Sequence, residues 1–132
     1  MEMEEGIREL HSRRETGKQM GGEGKVRAQH ARGRLTARER IEKLLDAYSF
    51  WEMGLLNTSN VPGMEAVSAA DGRICGIGLI HGRKVAVEAQ DNTILGGSGG
   101  RVGHQKVNYL VQMANESGYP IVRLMDGVGV QV

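Results

Sequence analysis

The chain contains little cysteine, few aromatic residues and no long apolar run. Its 132 residues include one cysteine, one tryptophan, one phenylalanine and three tyrosines, and its formal net charge is +1. A single cysteine excludes a disulfide within the chain and fits a reducing compartment, so we expect a cytoplasmic protein. The small aromatic content and the near-neutral charge give no case for nucleic-acid binding. No segment predicts a membrane span or a secretory signal.

The sequence also predicts neither a metal site nor a nucleophilic cysteine. The four histidines have no cysteine or carboxylate partner at metal-ligand spacing, so no metal site is predicted. Cys75 lies within an apolar, strand-like run, which indicates a small buried side chain rather than a nucleophile. Asp91 and Asp126 each follow a strand-like run and are expected to be solvated turn carboxylates rather than an acid–base pair.

The composition predicts one globular domain preceded by a polar arm. Hydrophobic residues make up 39% and charged residues 25% of the chain, as in folded proteins. Residues 1–35 are polar, and glycines at positions 17, 21, 22 and 24 interrupt any continuous helix, so we expect helix only from Glu4 to Thr16. We expect this arm to be a solvated extension, with a subunit contact as the alternative. Residues 36–132 are expected to form the folded domain.

The clearest local signal is a helix start at Thr36. Glu39 follows three residues later, so each side chain can accept a hydrogen bond from the backbone N–H of the other residue. Ile41, Leu44 and Leu45 then form an apolar stripe at helical spacing. This pattern predicts a capped helix over residues 37–46, and the segment from about residue 49 to residue 63 is predicted to be loop.

The region from Asp71 onward predicts an α/β unit. Residues 73–80 and 83–89 are strand-like runs, and His81–Gly82 between them is typical of a two-residue hairpin turn. Apolar residues between positions 107 and 114 share one helix face, Gly118 marks the end of that helix, and a short strand follows over residues 121–125. A strand–helix–strand crossover implies two parallel strands with the helix packed on the sheet.

The glycine-rich segment 96–100 has three interpretations from the residues alone. Backbone N–H groups at a helix N-terminus can bind an anion, although no Gly-Lys-Ser/Thr follows and the spacing is not Gly-x-Gly-x-x-Gly. Ser98 sits in a formal Gly-x-Ser-x-Gly pattern, but a serine hydrolase needs an acid and then a histidine farther along, and the last histidine is His104. The third interpretation is a structural turn.

Residues 29–46 (QHARGRLTARERIEKLLD) carry a longer pattern. A basic segment, a Gln-His pair, a Gly-x-Leu-Thr-Ala-Arg-Glu-Arg run and a Leu-Leu-Asp ending occur in the order typical of carboxyltransferase (β) subunits of biotin-dependent acyl-CoA carboxylases. From about Gly22 to Asp126 the chain resembles the N-terminal part of this propionyl-CoA carboxylase β-like family. The resemblance implies a partial crotonase-like α/β fold, built from ββα units, with an N-terminal helical extension.

The same resemblance implies where acyl-CoA would bind. The segment from Val85 to Gly97, with its motif over residues 90–98 (QDNTILGGS) and then His104-x-Lys106, would line the site. Gly96, Gly97 and Ser98 would permit close approach of the CoA arm, because glycine adds no side chain. Lys106 would balance phosphate charge. The alternative for Lys106, which we favour from the usual exposure of lysine, is an exposed helix residue without this role.

The strand that ends at Asp126 would lead into the catalytic turn. Where the family reads Asp-Ser-Gly-Gly-Ala-Arg, this chain reads Asp-Gly-Val-Gly-Val-Gln over residues 126–131. The resemblance assigns the backbone N–H groups of Val128 and Gly129 to an oxyanion hole for a thioester enolate. The branched side chain of Val128 stands where the thioester would approach, and it disfavours a positive φ. A loop without catalytic role is the alternative.

The implied activity is transfer of CO2 from carboxybiotin to the α-carbon of a short-chain acyl-CoA of the propionyl, acetyl or methylcrotonyl type. Biotin would be carried by a partner biotin carboxylase/biotin carrier subunit, and the family subunit forms homo-oligomers. Because the family subunit is several times longer, we expect this chain to be a fragment that is inactive alone. The alternatives are a non-catalytic remnant with only association or binding capacity, and the carboxyltransferase subunit of a biotin-dependent acyl-CoA decarboxylase.

Overall fold

A computed structural model describes residues 2–129, which contain four α-helices and one four-stranded sheet. The helices are α1 (Met3–Lys18), α2 (Glu23–Ala31), α3 (Ala37–Leu44) and α4 (Arg101–Ser117), and the strands are β1 (Trp51–Met53), β2 (Arg73–Ile80), β3 (Arg83–Gln90) and β4 (Ile121–Leu124). Short 3-10 turns occupy Glu65–Val67, Ala69–Gly72 and Leu95–Gly97. Within the described part of the chain, no helix is long and apolar enough to cross a membrane.

The sheet has the order β1-β2-β3-β4, and the sequence prediction for its last three strands is confirmed. Strands β2 and β3 pair antiparallel through the predicted hairpin, where His81 and Gly82 have φ of 49° and 75°. Both turn N–H groups donate to the Asp46 carboxylate, at 2.9 and 2.8 Å, and these hydrogen bonds lower the pKa of Asp46. Strands β3 and β4 are parallel, as the crossover through α4 implied.

The core lies on both faces of the sheet, because residues alternate sides along each strand. Helix α3 covers one face and α4 covers the other. The α3 side buries Ala37, Ile41, Leu45, Ile74, Val85, Val87 and Ala89. The α4 side buries Cys75, Ala86, Val107, Leu110 and Ala114. Cys75 is fully buried as predicted, and burial raises the pKa of its thiol to about 12, so it is no nucleophile.

The N-terminal arm contains more helix than its sequence predicted. Helix α1 matches the expected helix, but α2 was not predicted, because Gly22 and Gly24 were interpreted as helix breakers. The end of α2 is fixed by tertiary contacts instead. Gln29 is buried, and its amide group donates to the Leu35 carbonyl and to the Asp126 carboxylate. These distant contacts stabilise a helix for which local propensity is weak.

Helix α3 begins as its sequence predicted. The Thr36 hydroxyl accepts from the Glu39 N–H at 3.2 Å, and the Glu39 carboxylate accepts from the Thr36 N–H, which completes the capping box. His30 contacts the same carboxylate at 2.6 Å, and this contact is the largest cause of the lowered pKa of Glu39. The helix ends at Leu44, two residues earlier than expected.

Strand β1 was predicted to be loop. It has only three residues, too few for a recognisable alternation, and its pairing with β2 brings Trp51 opposite Ile77. Arg38 of α3 holds the strand through a bidentate ion pair with Glu52, in which Nη1 donates to Oε2 at 2.8 Å and Nη2 donates to Oε1 at 3.0 Å. This strand therefore depends on contacts with distant segments rather than on its own sequence.

Candidate functional site

The glycine turn at residues 95–98 packs directly against the segment that follows β4. Because β3 and β4 are parallel, their carboxyl ends meet at one edge of the sheet, where ligands commonly bind in such folds. Gly97 has φ +72°, and a Cβ there would lie 2.5 Å from the Asp126 carbonyl oxygen and 2.9 Å from the Gly127 Cα. Only glycine fits this contact. The structure thus brings together the two segments that the sequence singled out separately.

The Val128 N–H group is already hydrogen-bonded. It donates to the Gly96 carbonyl oxygen at 3.1 Å, while the Val128 side chain is 79% exposed. In this conformation, the group expected to act as an oxyanion donor is not available to a thioester oxygen. Gly129 has φ +143°, and space is open beside its Cα. The sequence expectations for Val130 and Gln131 lie outside the described residues.

Asp126 makes several hydrogen bonds, and its side chain is 21% exposed, so the expected turn carboxylate is only partly solvated. Its N–H donates to Gln90 Oε1 at 2.7 Å, and its carbonyl accepts from Asn92 Nδ2 at 2.9 Å. Its carboxylate accepts from Gln29 Nε2 at 2.9 Å and lies 3.6 Å from Arg34 Nη1. The main chain is therefore fixed in position where β4 ends.

The 29–46 signature acquires a structural meaning from these contacts. Gln29 and Arg34 bind the Asp126 carboxylate, and Arg40 Nη1 donates to the Met125 carbonyl at 3.3 Å. Three residues of the signature thus contact two consecutive residues at the end of β4. The signature thus positions the segment after β4, although the contacting residues are between 85 and 97 residues apart in the sequence.

Asp91, by contrast, is buried, which contradicts the expectation of a solvated carboxylate. It accepts from the Thr93 hydroxyl and from the Thr93 N–H, and burial raises its pKa. The Thr93 hydroxyl oxygen in turn accepts from the Gly21 N–H at 2.9 Å. This contact joins the N-terminal arm to the segment that precedes the glycine turn.

The structure disfavours the two general interpretations of the glycine-rich segment. The anion position at the start of α4 is taken by a side chain of the protein, since Asp71 Oδ2 accepts from the Gly103 N–H at 2.7 Å. The Ser98 hydroxyl donates to the Leu95 carbonyl at 2.7 Å, and His104 Nδ1 lies 2.8 Å from the Gly100 carbonyl oxygen. Both side chains thus contact neighbouring main chain, which favours a turn over a phosphate cradle or a serine nucleophile.

Lys106 is not the exposed helix residue that we favoured. Its side chain is buried, with 6% of the residue exposed, and Nζ donates to the Ala70 carbonyl at 2.7 Å and to the Gly54 carbonyl at 3.1 Å. Burial lowers its pKa to about 8. Gly54 and Ala70 lie outside the glycine turn, so the structure does not place the Lys106 ammonium beside Gly96, Gly97 and Ser98. Its role towards a CoA phosphate stays a prediction.

A cleft of about 780 Å³ lies beside the 126–129 segment. Its wall includes three charged residues that sequence reasoning missed, namely Arg73, Glu88 and Arg123, one from each of the strands β2 to β4. Arg73 Nε lies 3.6 Å from Glu88 Oε1, and Arg123 Nε lies 3.4 Å from Glu88 Oε2. The signal that could have found them is a charged residue inside an apolar strand pattern, since Glu88 stands between Val87 and Ala89.

The fold and the position of the candidate site define the class of protein. The antiparallel hairpin, the crossover through α4 and the site at the carboxyl ends of β3 and β4 are those of a crotonase-like α/β fold, as in carboxyltransferase structures. A family model described as the carboxyl transferase domain matches residues 28–132. The chain belongs to the carboxyl transferase domain family.

Relatives agree with this assignment. The chain is 39% identical to the propionyl-CoA carboxylase beta chain of Cereibacter sphaeroides, over 98% of this chain and 26% of the relative. It is 40% identical to the biotin-dependent acetyl-/propionyl-coenzyme A carboxylase beta5 subunit of Mycobacterium tuberculosis, over 96% of this chain and 24% of the relative. The crystal structure of transcarboxylase 12S, a hexamer with bound methylmalonyl-coenzyme A, matches with a TM-score of 0.93 and 37% identity, over 99% of this chain and 26% of that chain. The chain thus spans about a quarter of the length of these proteins.

Proposed function

We propose that the chain forms part of an acyl-CoA carboxyltransferase, which moves CO2 from carboxybiotin to the α-carbon of a short-chain acyl-CoA. The observation that supports this most directly is the contact between Gly96–Gly97 and the 126–128 segment. In this proposal the glycine turn admits the CoA arm, and the main chain after β4 faces the thioester. The names of the relatives support the choice of propionyl-CoA or a similar short acyl group.

The reaction requires stabilisation of an enolate oxygen. Removing a proton from the carbon next to the thioester places negative charge on the thioester oxygen, and a preorganised backbone donor at such an oxygen contributes about 3 kcal/mol. We assign this role to the N–H groups of Val128 and Gly129. The Val128 N–H would exchange its bond with the Gly96 carbonyl for a bond with the thioester oxygen. Ser98 would line the approach of the CoA arm.

Biotin, bound to a partner biotin carboxylase/biotin carrier subunit, supplies the carboxyl group in this proposal. The described residues would hold the acyl-CoA and orient its thioester, while the other reactant would be delivered by the partner. A cytoplasmic location and assembly into a homo-oligomer belong to the same proposal. They are supported by the similarity to carboxylase beta subunits and to the hexameric transcarboxylase 12S.

The test is a calorimetric titration of the purified chain with propionyl-CoA. We expect saturable binding by the wild type and at least tenfold weaker binding by Gly97→Ala, because a Cβ there would collide with the Asp126 carbonyl oxygen. Gly63→Ala is the matched control, since Gly63 also has a positive φ but a Cβ there meets no atom within 4 Å. Equal binding by the Gly97 and Gly63 variants would contradict the proposed site.

A second candidate function is binding without catalysis. It is favoured by one observation, namely that the Val128 N–H already donates to the Gly96 carbonyl. Both functions predict no carboxylated product above a control without protein when the chain alone is incubated with propionyl-CoA and a carboxybiotin donor, because the chain spans about a quarter of the length of its relatives. Product formation above that control would establish that the chain is active by itself.

A further inference from the structure

Three charged side chains form a row across the face of the sheet that α4 covers. Glu88 of β3 pairs with Cys75 of β2 and with Arg123 of β4. Arg73 stands two residues before Cys75 on β2, so its side chain lies on the same face of the sheet as that of Glu88. The two ion-pair distances in this row are 3.6 Å between Arg73 and Glu88 and 3.4 Å between Glu88 and Arg123. The register of the strands therefore assembles the row, although its members are distant in sequence.

Two of the three charged side chains in this row are buried. The side chains of Arg73 and Glu88 are each 5% exposed, whereas the Arg123 side chain is about half exposed. Removing one partner of a buried ion pair is strongly destabilising, while replacing both partners by neutral groups is often tolerated. Arg123 can be hydrated on its own. The pair Arg73–Glu88 is thus a unit whose two members depend on each other.

The Arg73 guanidinium also contacts the glycine turn. Its Nη1 donates to the Gly97 carbonyl at 2.8 Å, and Nη2 lies so close to Gly99 that a Cβ there would be 2.8 Å away. Gly97 in turn touches the Asp126 main chain, and the preceding carbonyl, that of Gly96, accepts from the Val128 N–H. The guanidinium and the segment after β4 therefore both contact the glycine turn at Gly97.

We propose that Arg73, held in place by Glu88, is a positioning residue that fixes the glycine turn against the segment after β4. The planar guanidinium is suited to this, since it can face a carboxylate and a carbonyl at the same time. Without it the Gly97 carbonyl loses its donor and the turn loses its fixed distance from Val128. The consequence for acyl-CoA binding rests on the proposed function, whereas the positioning itself does not.

The experiment separates positioning from stability by comparing a single with a double variant. Arg73→Met leaves the buried Glu88 carboxylate without its buried partner and should lower the Tm. Arg73→Met/Glu88→Gln removes both buried charges and should recover most of that Tm. Arg83→Met, an exposed arginine at the start of β3, is the matched control. The readout is amide hydrogen exchange of Val128, measured by NMR, together with the affinity for propionyl-CoA.

We expect Val128 to exchange about tenfold faster or more in the double variant than in the wild type, although stability is recovered, because a hydrogen bond to a charged group is lost from the turn. Exchange at Val128 that returns to the wild-type rate together with Tm would overturn the proposal. If the double variant does not fold, the Arg73→Lys variant serves as the test of positioning. It keeps a charge beside Glu88 but cannot span both partners, so faster exchange supports positioning and unchanged exchange refutes it.

The measurement of affinity for propionyl-CoA tests the proposed function separately from the positioning role of Arg73. A wild-type chain that binds no propionyl-CoA contradicts the proposed function, while the exchange rates still test Arg73. A wild-type chain that binds propionyl-CoA, with double-variant affinity lowered about tenfold beside the Arg83 control, supports both. Unchanged affinity with accelerated exchange at Val128 would retain the positioning role and refute its link to binding.

Discussion

The buried Lys106 makes the stability of this protein depend on pH in a specific direction. Its pKa falls from an ordinary 10.5 to about 8 because burial disfavours the ammonium form. The groups that face it are Cys75, Glu52 and Asp71, which favour the charged form, and Arg38, which opposes it. We predict that the free energy of unfolding rises from pH 7 to pH 9, and that Lys106→Met abolishes this rise.

The magnitude follows from proton linkage. Between pH 8 and 10.5 the unfolded chain keeps a proton on Lys106 that the folded chain has lost, so stability increases with pH. Below pH 8 the full cost of burying the charge is present, on the order of 3 kcal/mol. From pH 7 to pH 9 the folded protein should recover about 1 kcal/mol of this cost. Cys75 acts in the opposite direction above pH 9, because its raised pKa keeps its proton in the folded state.

The assay is urea unfolding at pH 7, 8 and 9 for the wild type, Lys106→Met and Lys43→Met. Lys43 is an exposed lysine of α3, and its variant should follow the wild-type pH dependence. The wild type should gain about 1 kcal/mol relative to Lys106→Met over this range. Parallel curves for wild type and Lys106→Met would show that the ammonium is hydrated in solution, and would refute the burial argument.

Three further variants test separate elements of the structure. Thr36→Ala removes the capping box of α3 and should lower the free energy of unfolding by about 1 kcal/mol in urea titration, and an unchanged midpoint would contradict the cap. Asp71→Asn keeps the shape of the side chain but removes the carboxylate at the start of α4. We expect the free energy of unfolding to fall by about 1 kcal/mol at pH 7. High salt should reduce this loss only partly, because Asp71 is buried. Gly97→Ala should lower Tm by clearly more than Gly63→Ala, because both replace a glycine of positive φ but only Gly97 abuts the Asp126 carbonyl oxygen. Equal Tm losses in calorimetry would refute that contact.

The sequence was sufficient where one short segment contained all the interacting groups. The capping box was recognisable from Thr36 and Glu39, the hairpin turn from His81–Gly82, and the end of α4 from Gly118, which adopts φ +72° as expected. Helix α2 and strand β1 were missed because distant contacts stabilise them. Gln29 anchors the end of α2 to Asp126, and β1 pairs with β2 across a long connection.

The candidate site was predicted only in part. The sequence identified the glycine turn and the segment after β4 as two candidate regions, and the structure shows that Gly97 contacts Asp126. It could not show that the Val128 N–H meets the Gly96 carbonyl, or that Lys106 is buried, since both depend on how two segments approach. The lysine in particular was assigned to the surface from the average behaviour of its residue type, which tertiary burial overrode.

The amino-acid sequence alone determined the family of this protein and most of its local structure, because caps, turns and apolar periodicity act between residues that are near neighbours in the chain. Only the tertiary structure decided that Gln29, Arg34 and Arg40 hold the end of β4, and that Arg73 supports the glycine turn. Those contacts join residues that are far apart in sequence, and strand register and helix packing alone bring them within hydrogen-bonding distance.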